Sequence, residues 1–185
     1  MNAQTLLCRV KGGERISERE LDFVRRALAD QRTHEDKYTL IHVLWKAYDR
    51  RSRNLIWTQA TDSDEMVRRI ALQALTELTP SEEVFNLALR MAQDPSKYVR
   101  MVAATAIGTL GALLPQRAAE AARFLLENFE RRQATADSEW ESYYEGLLDL
   151  VQVPQDKRPL ATRELRSADI QPEVIATARS LAAHS

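Results

Sequence analysis

Between Asp94 and Leu110 the chain reads DPSKYVRMVAATAIGTL, and Val99, Val102, Ala103, Ala106, Ile107 and Leu110 fall at the three-and-four spacing of one helix face. Much of that face is alanine, which suits a helix packed close against neighbours on more than one side. Similar apolar stripes recur along the chain, punctuated by Pro, Ser, Thr and Asp. They predict helices near 17–31, 34–49, 52–61, 64–79, 81–93, 96–111, 116–133, 138–152, 160–167 and 172–183. Pro80, Pro95, Pro115, Pro154, Pro159 and Pro172 fall in or beside the breaks, where a missing N–H does little harm. Ser17 to Glu20 (SERE) has the capping-box pattern, and Thr33, Ser63, Ser81 and Ser96 stand where N-caps are expected. No β-hairpin signal competes, so the fold class is all-α.

The segment has a twin. DSDEMVRRIALQALTEL, Asp62 to Leu78, aligns with it at a constant shift of 32 residues without a gap. Asp62 pairs with Asp94, Val67 with Val99, Arg68 with Arg100, Ala71 with Ala103, Ala74 with Ala106 and Leu78 with Leu110. The preceding helices follow the same shift, Leu55 with Leu87, Trp57 with Leu89 and Ala60 with Ala92, so each unit is a helical hairpin. Such a hairpin cannot bury both apolar faces alone and stacks on the next. An Asp in the turn can accept N–H bonds from the following helix start, and an Arg repeated in each unit can reach a neighbouring Asp. Asp62, Arg68, Asp94 and Arg100 are therefore read as a structural ladder.

An Asp in the turn, Val-Arg five and six residues later, then Ala, Ala-Leu and Leu at helical spacing resembles the HEAT repeat, clear over about 52–111 and weak elsewhere. In the first hairpin Glu35 and Asp36 stand where Val-Arg belongs, and Tyr38, Ile41, Leu44, Trp45 and Tyr48 make the apolar stripe. After 116 the turn is longer and tyrosines lie near the expected Val-Arg. The resemblance implies a short right-handed α-solenoid of four to five stacked antiparallel hairpins in one domain over 1–185. Within it, 1–16 is expected to be a flexible segment, 17–51 an N-terminal hairpin and 52–111 two repeats. Residues 112–153 are then a divergent repeat, and 154–185 form capping helices.

Composition narrows the function. The 29% charged residues are those of a soluble domain, and a single cysteine, Cys8, excludes an internal disulfide and fits a reducing compartment. The N-terminal stretch has no basic start followed by an apolar core, and the longest uncharged run, between Arg100 and Arg117, is too short for a bilayer span. A cytoplasmic, membrane-free protein is expected. The net charge of −1 is uneven: residues 1–60 carry 12 Lys/Arg against 8 Asp/Glu, and 116–152 carry 4 against 8.

Candidate chemistry is sparse. His34, His42 and His184 have no metal-ligand spacing, Cys8 has no partner base, and Gly12-Gly13 lacks the remainder of a phosphate loop. No catalytic, metal or cofactor residue is assigned. KAYDRRSRNLIW, Lys46 to Trp57, sets four basic residues beside aromatics, either a solvated turn or a contact for a phosphate or protein ligand. Trp140, Tyr143, Tyr144 and Leu147 form a stripe flanked by Glu139, Glu141 and Glu145, either core or anchors for a basic ligand surface; full burial of the tyrosines ends the second reading.

HEAT-like proteins mostly act as scaffolds, adaptors or inhibitors. The resemblance thus implies a non-enzymatic protein-interaction module, for example an immunity-type protein masking a toxin or enzyme. Its concave face would offer Arg69, Gln73, Glu77, Met101, Thr105 and Thr109, with the Trp140–Tyr144 region as the strongest patch. The partner is expected to be another protein with a basic patch, and the chain a monomer or weak dimer. The alternative is a HEAT-like DNA-repair protein or a HEAT-type chromophore lyase. A pI of about 6.3 and the lack of a repeated basic stripe count against nucleic acid.

Overall fold

A computed structural model describes residues 2–30, 36–159 and 165–183, which hold ten α-helices and no strand. In chain order these are α1 (Ala3–Lys11), α2 (Glu18–Ala29), α3 (Lys37–Lys46), α4 (Arg53–Gln59), α5 (Glu65–Leu78), α6 (Glu82–Met91), α7 (Lys97–Leu113), α8 (Ala118–Ala134), α9 (Trp140–Leu150) and α10 (Pro172–Ala183). The chain divides into two compact units, Met1–Thr79 and Pro80–Ser185, with the division falling between the two look-alike hairpins.

In the first unit, hairpin α2/α3 stacks on hairpin α4/α5, α3 against α5 and α2 against α4, and α1 lies on α3. In the second, α6/α7 stacks on α8/α9, α7 against α9, and α10 packs on α8 and α9. The all-α fold of stacked antiparallel hairpins is thus present within each unit. Leu40, Ile41, Leu44, Ile56, Ile70 and Leu75 fill the first interior; Phe85, Ala88, Val99, Ile107, Leu125 and Leu147 fill the second.

The N-terminal segment is helical, not the flexible stretch expected. Asn2 accepts the Thr5 N–H at 3.0 Å as N-cap, and Ala3, Leu6 and Leu7 are buried at three-and-four spacing. A helix of nine residues is marginal by propensity alone. Burial of the two leucines contributes on the order of 2 kcal/mol each, so the packing holds it. Arg9 then pairs with Glu20, whose carboxyl is held down to about 2 by the Ser17 N–H and hydroxyl and then by Arg9. Ser17 and Glu20 form the expected capping box.

Other helix starts are shifted. Ser81 caps α6, but Asp64 rather than Ser63 caps α5, because Asp62 already accepts the Asp64 N–H and the Asp64 carboxylate reaches Met66 N at 2.8 Å. Ser96 makes no capping bond through its hydroxyl. The expected cap at Thr33, together with His34, Glu35 and His184, lies outside the described residues. The helix expected at 160–167 lies largely outside them too, and Ser167–Asp169 is a 3-10 turn.

Alanine and glycine in α7 serve one contact. A Cβ on Gly108 would overlap the carbonyl oxygen of Gly146 in α9, and one on Gly146 would lie 2.6 Å from the Ala104 oxygen. The two helices meet backbone to backbone, an approach only hydrogen side chains permit. One turn on, a Cβ on Gly111 would sit 2.6 Å from Ala121 Cβ and 2.8 Å from Leu150 Cδ1.

Four helices end in the same six-residue wrap, in which the fifth residue takes positive φ and the sixth N–H reaches back to the first carbonyl. After α1 this is Glu14 N to Arg9 O with Gly13 at φ 84; after α3, Asp49 N to Leu44 O with Tyr48 at φ 55. After α8 it is Asp137 N to Arg132 O with Ala136 at φ 53, and after α9 Val153 N to Leu148 O with Gln152 at φ 58. Glycine fits the left-handed position without strain; the other three positions hold residues that do not.

Candidate interaction surfaces

The repeated turns define the framework. Asp62 Oδ1 accepts the Asp64 N–H at 2.9 Å, and Asp94 Oδ1 accepts the Ser96 N–H at 2.9 Å. Arg68 Nη1 donates to Asp62 O at 2.8 Å and Ser63 O at 3.0 Å; Arg100 Nη1 donates to Asp94 O at 2.8 Å and Pro95 O at 3.0 Å. The same atoms make the same three bonds in each repeat, 32 residues apart. Each arginine closes the carbonyls of its own turn.

Asp62 and Arg100 also reach neighbouring hairpins of their own units. Within the first unit Lys37 Nζ reaches Asp62 Oδ2 at 2.6 Å. Burial pushes the Asp62 carboxyl up, and the Lys37 and Asp64 N–H bonds outweigh it, leaving it below the ordinary carboxylate value. Within the second unit Arg100 grips the buried Glu139 through both its Nε and Nη2, Nε to Oε2 at 3.1 Å. A third turn keeps the carboxylate wrap, Asp137 Oδ1 accepting the Glu139 N–H at 3.0 Å. Here Tyr143 occupies the place of the arginine, and Arg132 of the preceding helix supplies the cation. It pairs with Asp137, lies 3.3 Å from Glu139 and sits over the Tyr143 ring.

Residues 53–138 match the family model of HEAT repeats. That stretch is similar to HEAT repeats. The match runs past the two clear units through α8 to the Asp137 turn, which agrees with the recurrence of that turn's geometry. No curated protein matches the chain.

The aromatic patch expected to meet a partner belongs to the interior. Tyr143 and Tyr144 are 1% and 0% exposed, Trp140 is 9% exposed, and Glu139 is buried beneath Arg100. Phe129 packs against Trp140 at 6.0 Å and Tyr144 at 5.7 Å between ring centroids, and Phe124 against Tyr143 at 6.3 Å. The Tyr144 hydroxyl accepts the Gln171 N–H at 2.8 Å, and burial raises both phenol pKa values. These four residues are core, because α9 is covered by both α7 and α8.

The HEAT-like face itself is accessible in part. On α7, Met101, Thr105 and Thr109 are half-buried. Thr109 Oγ1 lies 3.1 Å from both the Thr105 carbonyl and Asp149 Oδ2, and Arg158 Nη1 pairs with Asp149 at 2.6 Å. On α9, which packs along α7, Glu145 is exposed and Glu141 is half-buried. Surrounding protein raises the Glu145 carboxyl pKa first, and repulsion from Asp149 and Glu141 adds to it. In the first unit Arg69 and Gln73 are half-buried, and exposed Glu77 accepts the Trp45 indole N–H at 2.8 Å.

The basic stretch from Lys46 is less uniform than its sequence. Asp49 is buried and takes Arg25 Nε and Nη2 at 2.8 and 2.9 Å, with Ser52 as a further donor. Arg51 pairs with Glu18, Lys46 lies 3.6 Å over the Trp45 ring, and Arg53 stacks on Trp57. Tyr48 is not part of the α3 stripe: it lies past the helix end and is 71% exposed. Arg132 is legible in the sequence only through the Arg-x4-Asp spacing that brings it onto the third turn.

Among the described residues, no helix is long and apolar enough to cross a membrane.

Proposed function

We propose that the chain is a non-enzymatic protein-interaction module whose second unit presents Met101, Thr105, Glu141 and Glu145 to a basic partner. The observation that carries this reading is the acidic row Glu141, Glu145 and Asp149 on α9, of which Glu145 is exposed and makes no ion pair among the described residues. Lysine or arginine from a partner would form a charge-assisted bond with Glu145, beside the Asp149–Arg158 pair. Thr105 and Met101 on the adjoining α7 supply a neutral, partly apolar strip. HEAT repeats commonly bind proteins, and adaptor, scaffold and inhibitor roles, an immunity-type mask over a toxin or enzyme included, all use such a face. The exposed thiol of Cys8 suits a reducing cytoplasm.

The test is affinity capture from native lysate with the wild-type chain and the Glu141→Lys/Glu145→Lys variant. The expected result is a co-purifying protein that the charge reversal releases while thermal stability is kept. Retention of the same protein by the variant would overturn the reading. Salt-steep binding of duplex DNA would favour the nucleic-acid alternative instead.

A further inference from the structure

A second surface lies in the first unit and has the opposite charge. Between the end of α1, the loop that follows it, the start of α2 and the end of α3 there is a cleft of about 390 Å³. Val10, Ile16 and Leu21 line it with apolar surface, Arg15 and Lys46 stand among its walls, and Tyr48 forms part of its lip. That volume falls near the lower end of the roughly 300–1,000 Å³ typical of ligand pockets, room for a side chain or two rather than a large cofactor.

Tyr48 is the anomaly. It holds the left-handed position of the wrap after α3, where a bulky residue is strained and glycine is not, as Gly13 illustrates after α1. Its ring is 71% exposed, so packing does not repay that strain. A residue that stability disfavours, displayed at the edge of an apolar cleft, is what an aromatic anchor for a ligand requires.

Charge selects the ligand. Arg15 and Lys46 have no carboxylate partner among the described residues, whereas Glu14, which also lines the cleft, is occupied by Arg9 at 3.0 Å. The Lys46 ammonium lies over the Trp45 ring, and the imidazole pKa of His42 is lowered first by burial and then by the charges of Lys11 and Lys46. The cleft therefore combines unneutralised cations with an apolar floor. A phosphate backbone would leave that floor unfilled.

We propose that this cleft binds an acidic segment of a partner protein, with one apolar side chain of the segment seated on Val10, Ile16 and Leu21 against the Tyr48 ring and its carboxylates on Arg15 and Lys46. The proposal does not depend on the acidic face of α9, and either can fail alone.

The test titrates the full chain with short fluorescein-labelled peptides carrying Phe or Leu between Asp and Glu residues, read by fluorescence polarisation. Parallel titrations use the same peptides with the acids replaced by Asn and Gln, duplex DNA, and phosphatidylserine vesicles. Binding is expected only for the acidic peptides. It should weaken about tenfold or more in Tyr48→Gly and in Arg15→Glu/Lys46→Glu, where about tenfold corresponds to 1.4 kcal/mol. Tyr48→Gly should melt at or above the wild-type temperature, which separates lost binding from lost folding. No binding by any acidic peptide, equal binding by the amide peptides, unchanged affinity in Tyr48→Gly, or preference for DNA or vesicles would each overturn the proposal.

Discussion

Gly108 of α7 lies against the carbonyl oxygen of Gly146 in α9 so closely that no side chain fits between them. Gly108→Ala must therefore push the two backbones apart. The expected loss is about 3 kcal/mol or more, at the upper end of overpacking. Gly111→Ala meets the movable Leu150 Cδ1 and the Ala121 methyl, so its loss should be smaller, about 1–2 kcal/mol. Urea unfolding of the two variants checks the order; a harmless Gly108→Ala would refute the backbone contact.

Arg100 closes its own turn and neutralises buried Glu139 at once. Arg100→Ala leaves two turn carbonyls without this donor and Glu139 with only Arg132, and should cost about 3 kcal/mol. Arg100→Lys should recover less than half, because one ammonium cannot span both tasks. Pairing Arg100→Ala with Glu139→Gln in a double-mutant cycle should give a coupling of about 1 kcal/mol or more. Lost partner binding at unchanged Tm would instead make Arg100 a binding residue.

Replacing Ala136 or Gln152 by glycine should stabilise the chain. Relief of the left-handed position is worth roughly 1–2 kcal/mol, against roughly 0.5–1 kcal/mol for the freer unfolded chain. The net gain, about 0.5–1 kcal/mol, corresponds to a Tm rise of roughly 2–3 °C in calorimetry. The reverse change, Gly13→Ala, should lower Tm.

His42 makes stability depend on pH. Its pKa is lowered from 6.5 in the fold by burial, then by Lys11 and Lys46, and its Nδ1 is buried without a hydrogen-bond partner. A depressed folded value means the unfolded chain takes up the proton first. The contribution is complete above about 6.5 and is lost as pH falls from there through the folded pKa. Tm should decline over that interval, and His42→Phe, which keeps the stack on Trp45, should flatten the slope. The depressed carboxylates Asp49 and Asp62 act only at lower pH, where their own stabilisation is lost as they protonate.

The fold was legible because Asp62/Arg68 and Asp94/Arg100 repeat with their helices in fixed register, and local turn geometry follows from local sequence. Partners distant in sequence were not legible. That Arg100 pairs with Glu139, 39 residues on, depends on which helix lies across α7. An i, i+3, i+4, i+7 aromatic stripe looks alike whether a second helix covers it or solvent does, so Trp140, Tyr143 and Tyr144 could be placed on one face but not inside. For Tyr48 the pattern pointed the wrong way, since helical spacing continues on paper past the residue where φ changes sign. The α1 stripe was readable in Ala3, Leu6, Leu7 and Val10, but the chain end masked it.

The third turn has a consequence for how such chains change length. At Asp94 a guanidinium from the helix that follows takes the turn carbonyls, whereas at Asp137, 43 residues on, Arg132 from the helix before takes the turn carboxylate. A turn sealed from either flank lets a unit grow by several residues and keep its joint. Any splice that adds or removes a hairpin should accordingly cut outside 132–143, so that clasp and hinge are inherited as one piece.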